Sequence, residues 1–467
     1  MPKFDFDMLI IGSGPAGQKA AIRAAQLEKR VAIIEKRGVV GGICINLGTI
    51  PSKTLREAVV YLSGYRQHSV YGESYSVKER ITMEDLLTRT DHVIRTEIDI
   101  TRKQLRANGV ELINAEASFA DPHTLILRYI DGRGESRVTA EKIVIAVGTT
   151  ATRDPNIQFD GQNIFTSDDL LGLNEVPRTL TVVGGGVIGI EYACIFALMG
   201  VRVTLIDKRE KLLSFVDEEI VDALVYHLRQ HQVTFRLEET VSHVEKLDDK
   251  HESVRITTES GKVLQAEKAL YSIGRTGATA GLNLEAAGLT ANKRGQLDVG
   301  ENYQTPVDHI YAVGDIIGFP SLASTSMEQG RLAASHAFGK PLETFPDLLP
   351  YGIYTIPEIS IVGKNEDELT EAEVPYEIGK AYYRETARGQ IIGDQVGMLK
   401  LIFHRESKLV LGVSVIGENA SELVHIGQAV MALGGTIDYF TRTVFNYPTL
   451  AECYKNAALD GLQRLCE

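Results

Sequence analysis

The sequence has no tryptophan, only four cysteines, no long apolar run and too few positive charges to balance its acids. Cys44, Cys194, Cys453 and Cys466 are spaced too widely for a disulfide framework or a zinc site, so no resident metal is expected. Cys194 falls in a predicted helix and the last two lie near the C-terminus, where a small buried side chain is the expected role. No stretch approaches the roughly 18 apolar residues needed to cross a bilayer. The opening MPKFDFDMLIIGSGPAG runs straight into a strand without a signal-peptide pattern, so a cytoplasmic protein with no membrane partner is expected. A net charge of −13 and the lack of any basic stripe argue against a nucleic-acid partner, because phosphate binding needs concentrated Lys and Arg.

What is present is an ordinary globular composition, 44% apolar and 24% charged with 43 glycines. A chain of 467 residues suits about three domains of ~150 residues each. The first segment, FDMLIIGSGPAGQKAAIRAAQLEKRVAIIEK, reads as strand, glycine turn, small-residue helix and second strand ending in an acid. Gly12 permits the tight turn, Gly14 lets the backbone approach a pyrophosphate, and Gly17 lets helix and strand pack closely. Glu35 stands 21 residues after Gly14, where a carboxylate accepts hydrogen bonds from a ribose. The unit recurs in RTLTVVGGGVIGIEYACIFALMGVRVTLIDKRE, with Gly184, Gly186 and Gly189 in the turn and Asp207 again 21 residues after the middle glycine. Two such units imply two dinucleotides brought together, as hydride transfer between cofactors requires.

Lys208 and Arg209 follow Asp207, so the second site offers a ribose acceptor together with positive charge for a 2′-phosphate. On that reading it takes both NAD and NADP; on the other, the two cations belong to a solvated turn, and position alone favours neither. The stretch TPVDHIYAVGDI (305–316) places Gly314 and Asp315 just after a predicted strand, a setting for hydrogen bonds to a polyol or ribose. From Pro346 onward no third nucleotide motif occurs. Strand-like runs MLKLIFH and LVLGVSVIG alternate with an amphipathic helix over about 420–433, reading as a separate α+β domain.

With these residues in hand, the chain resembles the flavoprotein disulfide reductase superfamily of lipoamide dehydrogenase, glutathione reductase and mercuric reductase. The likeness is carried by both fingerprints, by GGICINLGTIPSK (41–53), by SIGRTG around Gly274 and Arg275, and by YAVGD, TIPEISIVG and NYPTLAE. It implies an α/β chain with two Rossmann-like dinucleotide-binding domains and a C-terminal α+β dimerisation domain: FAD at 1–150 with 280–345, NAD(P) at 151–279, and the interface at 346–467. It also implies that Lys53 and Glu191 pair beside the flavin, that Asp315 binds the FAD ribityl chain, and that the chain forms a head-to-tail homodimer or a larger homo-oligomer.

Two departures separate the chain from the dithiol members. Where those carry Cys-x4-Cys, this chain has Cys44 and Thr49, and a hydroxyl forms neither a disulfide nor a thiolate. Where they carry a catalytic His before Pro, this chain has Tyr447, with Pro448 and Glu452 retained. A phenol with a pKa of about 10 is a poor proton shuttle at neutral pH beside imidazole. The chain is similar in both respects to the soluble pyridine nucleotide transhydrogenase branch, which implies ping-pong hydride transfer from NADPH to flavin N5 and from there to NAD at the same site. In that scheme Lys53 stabilises charge on the reduced flavin and Cys44 is a relic or a tuner of flavin polarity. Two rivals stand beside it: a reductase using Cys453 or Cys466 as an unusual thiol, and a non-catalytic flavin-bound sensor.

Overall fold

A computed structural model describes residues 3–72, 74–248, 252–341 and 345–465. The chain divides into two compact units. One contains the segment up to Thr54 with Thr88–Thr152 and Gly274–Phe345; the other contains Leu55–Leu87, Arg153–Ile273 and everything from Pro346 onward.

In the first unit, the strands Phe6–Ile11 and Val31–Ile34 flank the helix Pro15–Gln26 as the sequence predicts. The four-residue run Met8–Ile11 is fully buried, the expected pattern for a strand covered on both faces of a parallel sheet. Across this sheet the order is Glu111–Ile113, Val31–Ile34, Phe6–Ile11, the end of Glu135–Ile145, and Ile310–Ala312, all parallel. Strand Glu135–Ile145 serves two sheets, since its first half pairs antiparallel with Thr124–Tyr129. Helix Ala323–Ala337 lies against Pro15–Gln26, and Gly330 makes that approach possible: a Cβ there would stand 2.1 Å from the Ala16 carbonyl oxygen.

The second unit repeats the doubly wound plan. Its parallel sheet runs Val233–Arg236, Arg202–Ile206, Thr179–Val183, Lys268–Tyr271, Ile164–Thr166, with helix Val187–Leu198 following strand Thr179–Val183. A three-stranded antiparallel sheet, Val241–Lys246, Val254–Thr258 and Val263–Ala266, accompanies it. The C-terminal segment forms a five-stranded antiparallel sheet whose central strands Met398–His404 and Val410–Ile416 fall where MLKLIFH and LVLGVSVIG predict them. Helix Ala420–Ala432 ends one residue before the predicted boundary. Lys400, 1% exposed in the middle of that sheet, sends its ammonium to Asp217 Oδ2 (2.8 Å), Glu219 Oε2 (3.1 Å) and Glu366. Asp217 also caps helix Glu218–Gln230, so one buried cation joins the N-terminus of that helix to the C-terminal sheet. Asp217, Glu219 and Glu366 have metal-ligand spacing, and the lysine ammonium occupies their centre. Among the described residues no helix is long and apolar enough to cross a membrane.

Candidate dinucleotide sites

Each unit carries one of the glycine turns at a helix N-terminus, and the two are built alike. Gly12 sits at φ +104°, with the Ala146 carbonyl oxygen 2.4 Å from where a Cβ would lie. A Cβ on Gly17 would meet the Gly12 oxygen at 2.0 Å, whereas one on Gly14 would meet nothing within 4 Å. In the second unit the same three roles fall to Gly184 (φ +102°), Gly189 (1.9 Å to the Gly184 oxygen) and Gly186 (open). The outer glycines are thus required by the protein's own backbone. The middle one guards open space at a helix N-terminus, where unpaired N–H groups and the helix dipole favour a pyrophosphate.

The acid after each second strand is buried and already oriented. Glu35 Oε2 accepts the Ser13 hydroxyl (2.5 Å) and the Ser13 N–H (3.1 Å), while Oε1 accepts the Arg37 N–H (2.8 Å). Asp207 Oδ2 accepts the Gly185 N–H (2.6 Å) and Arg209 Nη2 (2.7 Å), while Oδ1 accepts the Arg209 N–H and Nε, both at 2.8 Å. Burial pushes the Asp207 carboxyl up, but the arginine and backbone donors overcome that and hold it below its ordinary value.

The 41–53 segment packs directly on the first turn. Gly41 N–H donates to Ser13 O and Oγ, both at 3.1 Å, and a Cβ on Gly42 would stand 2.8 Å from Gly14 Cα. Helix Gly42–Asn46 carries Cys44, and helix Thr49–Ser63 carries Thr49 and Lys53. The side chains of Cys44 and Thr49 hydrogen-bond to each other. Burial pushes the thiol up, and the Thr49 bond and the charge of Lys53 pull the other way.

Gly314, at φ +81°, opens the short 3-10 helix Gly314–Ile317, and its N–H donates to Gln329 Oε1 at 2.8 Å. Asp315 follows. Burial raises its pKa, against smaller lowering by the charge of Arg275 and by the Thr149 hydroxyl, which donates to Oδ2 at 3.4 Å. Arg275 is itself fixed on Thr149, through Nε to the hydroxyl at 2.8 Å and Nη2 to the carbonyl at 3.1 Å. Gly274, at φ +124°, accepts the Thr152 N–H at 3.0 Å. A partly buried carboxylate whose one hydrogen bond among the described residues is long, beside a turn left open at Gly14, fits a polyol-bearing dinucleotide such as FAD.

In the second unit, Glu191 lies buried on helix Val187–Leu198, where Oε1 accepts the Tyr354 N–H at 2.7 Å. Cys194, on the same helix, and Cys453 are buried, and burial pushes both thiols up to about 12. Cys466 lies outside the described residues. Tyr447 is 74% exposed, and Glu452 begins helix Glu452–Arg464 with Oε2 buried and unpartnered among the described residues. Sequence reasoning assigned no role to Ser13, Thr149, Arg275 or Gln329. Arg275 lies in a motif it had noted; its contact with Thr149, and that of Thr149 with Asp315, join segments more than a hundred residues apart, whereas Ser13 and Gln329 bond to Glu35 and Gly314 22 and 15 residues away.

Comparison with known proteins agrees with this geometry. A "Soluble pyridine nucleotide transhydrogenase" from Mycobacterium tuberculosis is 52% identical, covering 99% of this chain and 98% of the relative. Another of that name, from Colwellia psychrerythraea, is 47% identical, covering 99% of both. Among solved structures, LpdA of M. tuberculosis superposes with a TM-score of 0.88 and the HOCl-induced flavoprotein disulfide reductase RclA of Escherichia coli with 0.85. Each is 26% identical and matches over 97% of this chain and 99% of the other. The family model of the pyridine nucleotide-disulphide oxidoreductases matches residues 6–330, and that of their dimerisation domain residues 349–458. The chain, with its paired glycine turns and its C-terminal antiparallel sheet, belongs to the pyridine nucleotide-disulphide oxidoreductase family.

Proposed function

We propose that the protein is an FAD-dependent transhydrogenase that moves hydride reversibly between NADPH and NAD, one nucleotide at a time, with no thiol on the path. The observation that carries this reading is the contact at Cys44: its sulfur meets the Thr49 hydroxyl where a dithiol enzyme needs a second sulfur. Its raised pKa keeps the lone thiol protonated at neutral pH, and a thiol is a far weaker nucleophile than a thiolate. The rival use of Cys453 is disfavoured by its burial, which pushes its thiol up to about 12. The names of the relatives at 46–52% identity support the same activity.

Bound in the first unit, FAD supplies the two-electron relay that takes hydride from one nicotinamide and returns it to another. The residues of the chain bind and orient. Glu35 receives the adenosine ribose of the resident dinucleotide, Asp315 its polyol chain, and the amides after Gly14 its pyrophosphate. Lys53 contributes positive charge beside the loop that carries Cys44. Gly186 and Asp207 receive the exchanging nucleotide in the same manner. A hydride carries its own electron pair, so no side chain has to move a proton, and Tyr447 in place of a histidine costs the reaction nothing.

The C-terminal sheet is assigned to a homodimer, supported by the exposure of Leu433, Tyr439, Val444, Tyr447 and Leu459 on that segment. Initial rates over a grid of NADPH and thio-NAD concentrations test the catalytic reading. Parallel double-reciprocal lines and no turnover with lipoamide are expected; intersecting lines, or lipoamide reduction at a comparable rate, would overturn it.

A further inference from the structure

The acid of the second nucleotide turn is blocked by its own chain. A carboxylate offers about four acceptor positions. All four of Asp207 are filled, by the N–H groups of Gly185 and Arg209 and by Nε and Nη2 of the Arg209 side chain. No position is left for a ribose hydroxyl while the guanidinium stays. Among the described residues the homologous Glu35 has no such plug: it accepts the two Ser13 donors and the Arg37 N–H, with no guanidinium on it. The two sites therefore share the backbone donors and differ in the removable side chain. Asp207 is 5% exposed and Arg209 44%, so the acid is fixed in the wall of the site while the arginine has solvent on one side into which it can turn.

We propose that Arg209 is an exchangeable counter-ion of Asp207 and sets how one site takes both nucleotides. This inference rests on the two-nucleotide reading above. With the site empty, the guanidinium pairs the buried carboxylate, whose charge would otherwise stand unpaired. When NAD enters, the 2′- and 3′-hydroxyls of its adenosine ribose replace Nε and Nη2 on Asp207, and the arginine turns to solvent. When NADP enters, its 2′-phosphate cannot share the carboxylate, and the displaced guanidinium forms a bidentate pair with the phosphate instead. Both nucleotides must break the same ion pair. NADP recovers that loss through a new one and NAD through ribose hydrogen bonds, which brings the two affinities together. A resident dinucleotide never leaves its site, which accounts for the missing plug at Glu35. A nucleotide that exchanges twice per turnover leaves Asp207 bare each time.

Calorimetric titration of the oxidised FAD holoenzyme with 2′,5′-ADP and 5′-ADP tests this without any turnover. Wild type is expected to bind both. In Arg209→Gln, 2′,5′-ADP should weaken about tenfold or more while 5′-ADP binds as tightly or tighter, its competitor gone. Arg209→Lys, which keeps the charge but not the fork, should fall between. Asp207→Asn should reverse the preference, weakening 5′-ADP and sparing or strengthening 2′,5′-ADP. Equal weakening of both fragments in Arg209→Gln would make the arginine a structural strut and overturn the proposal. So would unchanged 2′,5′-ADP binding in that variant, or a wild type that binds only one fragment. A wild type that binds both as expected yet passes no hydride from NADPH to thio-NAD would overturn the transhydrogenase reading and leave the exchange standing.

Discussion

Position 49 decides what Cys44 can do. Because the two side chains already touch, Thr49→Cys is expected to place two sulfurs within bonding reach. Thiol titration of that variant after mild oxidation with diamide should find two fewer free thiols than after reduction; an unchanged count would mean that the loop holds the pair apart. Asp315 makes a second residue-scale prediction. Its folded pKa is raised by burial, so the native state holds the proton more tightly than the unfolded chain. Stability from that proton is complete below the ordinary carboxylate pKa and is lost as pH rises through the folded value. Asp315→Asn should therefore unfold at a higher temperature than wild type as apoprotein at pH 7, yet bind FAD about tenfold or more weakly, losing the charged acceptor for the polyol. A lower apoprotein midpoint would show that Asp315 is satisfied by the protein alone. The loss of the thiol and of the histidine is legible in the sequence because both are single letters at fixed motif offsets. The support of Asp315 by Thr149 is not legible, since the two lie 166 residues apart and meet only after the strands have paired.

At the scale of the element, the three glycines of each turn separate cleanly by what a methyl group would strike. Gly17→Ala drives a Cβ into the Gly12 carbonyl, and Gly189→Ala drives one into the Gly184 carbonyl and within 2.7 Å of Ser272 Oγ. Each should cost the apoprotein about 1–3 kcal/mol through forced separation of helix and strand. Gly14→Ala meets open space at an ordinary φ of −66°, so its apoprotein should unfold at the wild-type temperature while FAD retention after gel filtration falls sharply. Loss of apoprotein stability in Gly14→Ala, or full FAD retention, would contradict the assignment of that space to a pyrophosphate. The βαβ units were readable because strand, turn, helix and acid lie within about thirty residues and follow local periodicity. Sheet order was not: strand Glu135–Ile145 joins a meander to a parallel sheet, and Ile310–Ala312 joins the same sheet from some 165 residues further along. Such pairings are set by which apolar faces meet, which no local window contains.

For the whole molecule, the buried Lys400 centre and the hydride path carry the remaining predictions. Lys400→Met leaves Asp217, Glu219 and Glu366 facing one another without their cation, and should destabilise the protein by about 3 kcal/mol or more. Lys380→Met removes only a half-buried partner of Glu219, and its unfolding midpoint should move far less. Equal shifts in thermal unfolding of the two variants would show that the buried cation is not the link between helix Glu218–Gln230 and the C-terminal sheet. This centre was invisible in the sequence because its four members come from three separate stretches, the acids from charged segments and Lys400 from the apolar run MLKLIFH. The central claim concerns the route of the hydride. It is tested most directly by the Cys44→Ser holoenzyme, given NADPH and thio-NAD with no dithiol present. The account predicts thio-NAD reduction at a rate within about threefold of wild type, since a protonated thiol outside the path adds little to the barrier. A variant whose flavin bleaches with NADPH while thio-NAD stays oxidised would place Cys44 on the path and contradict the account.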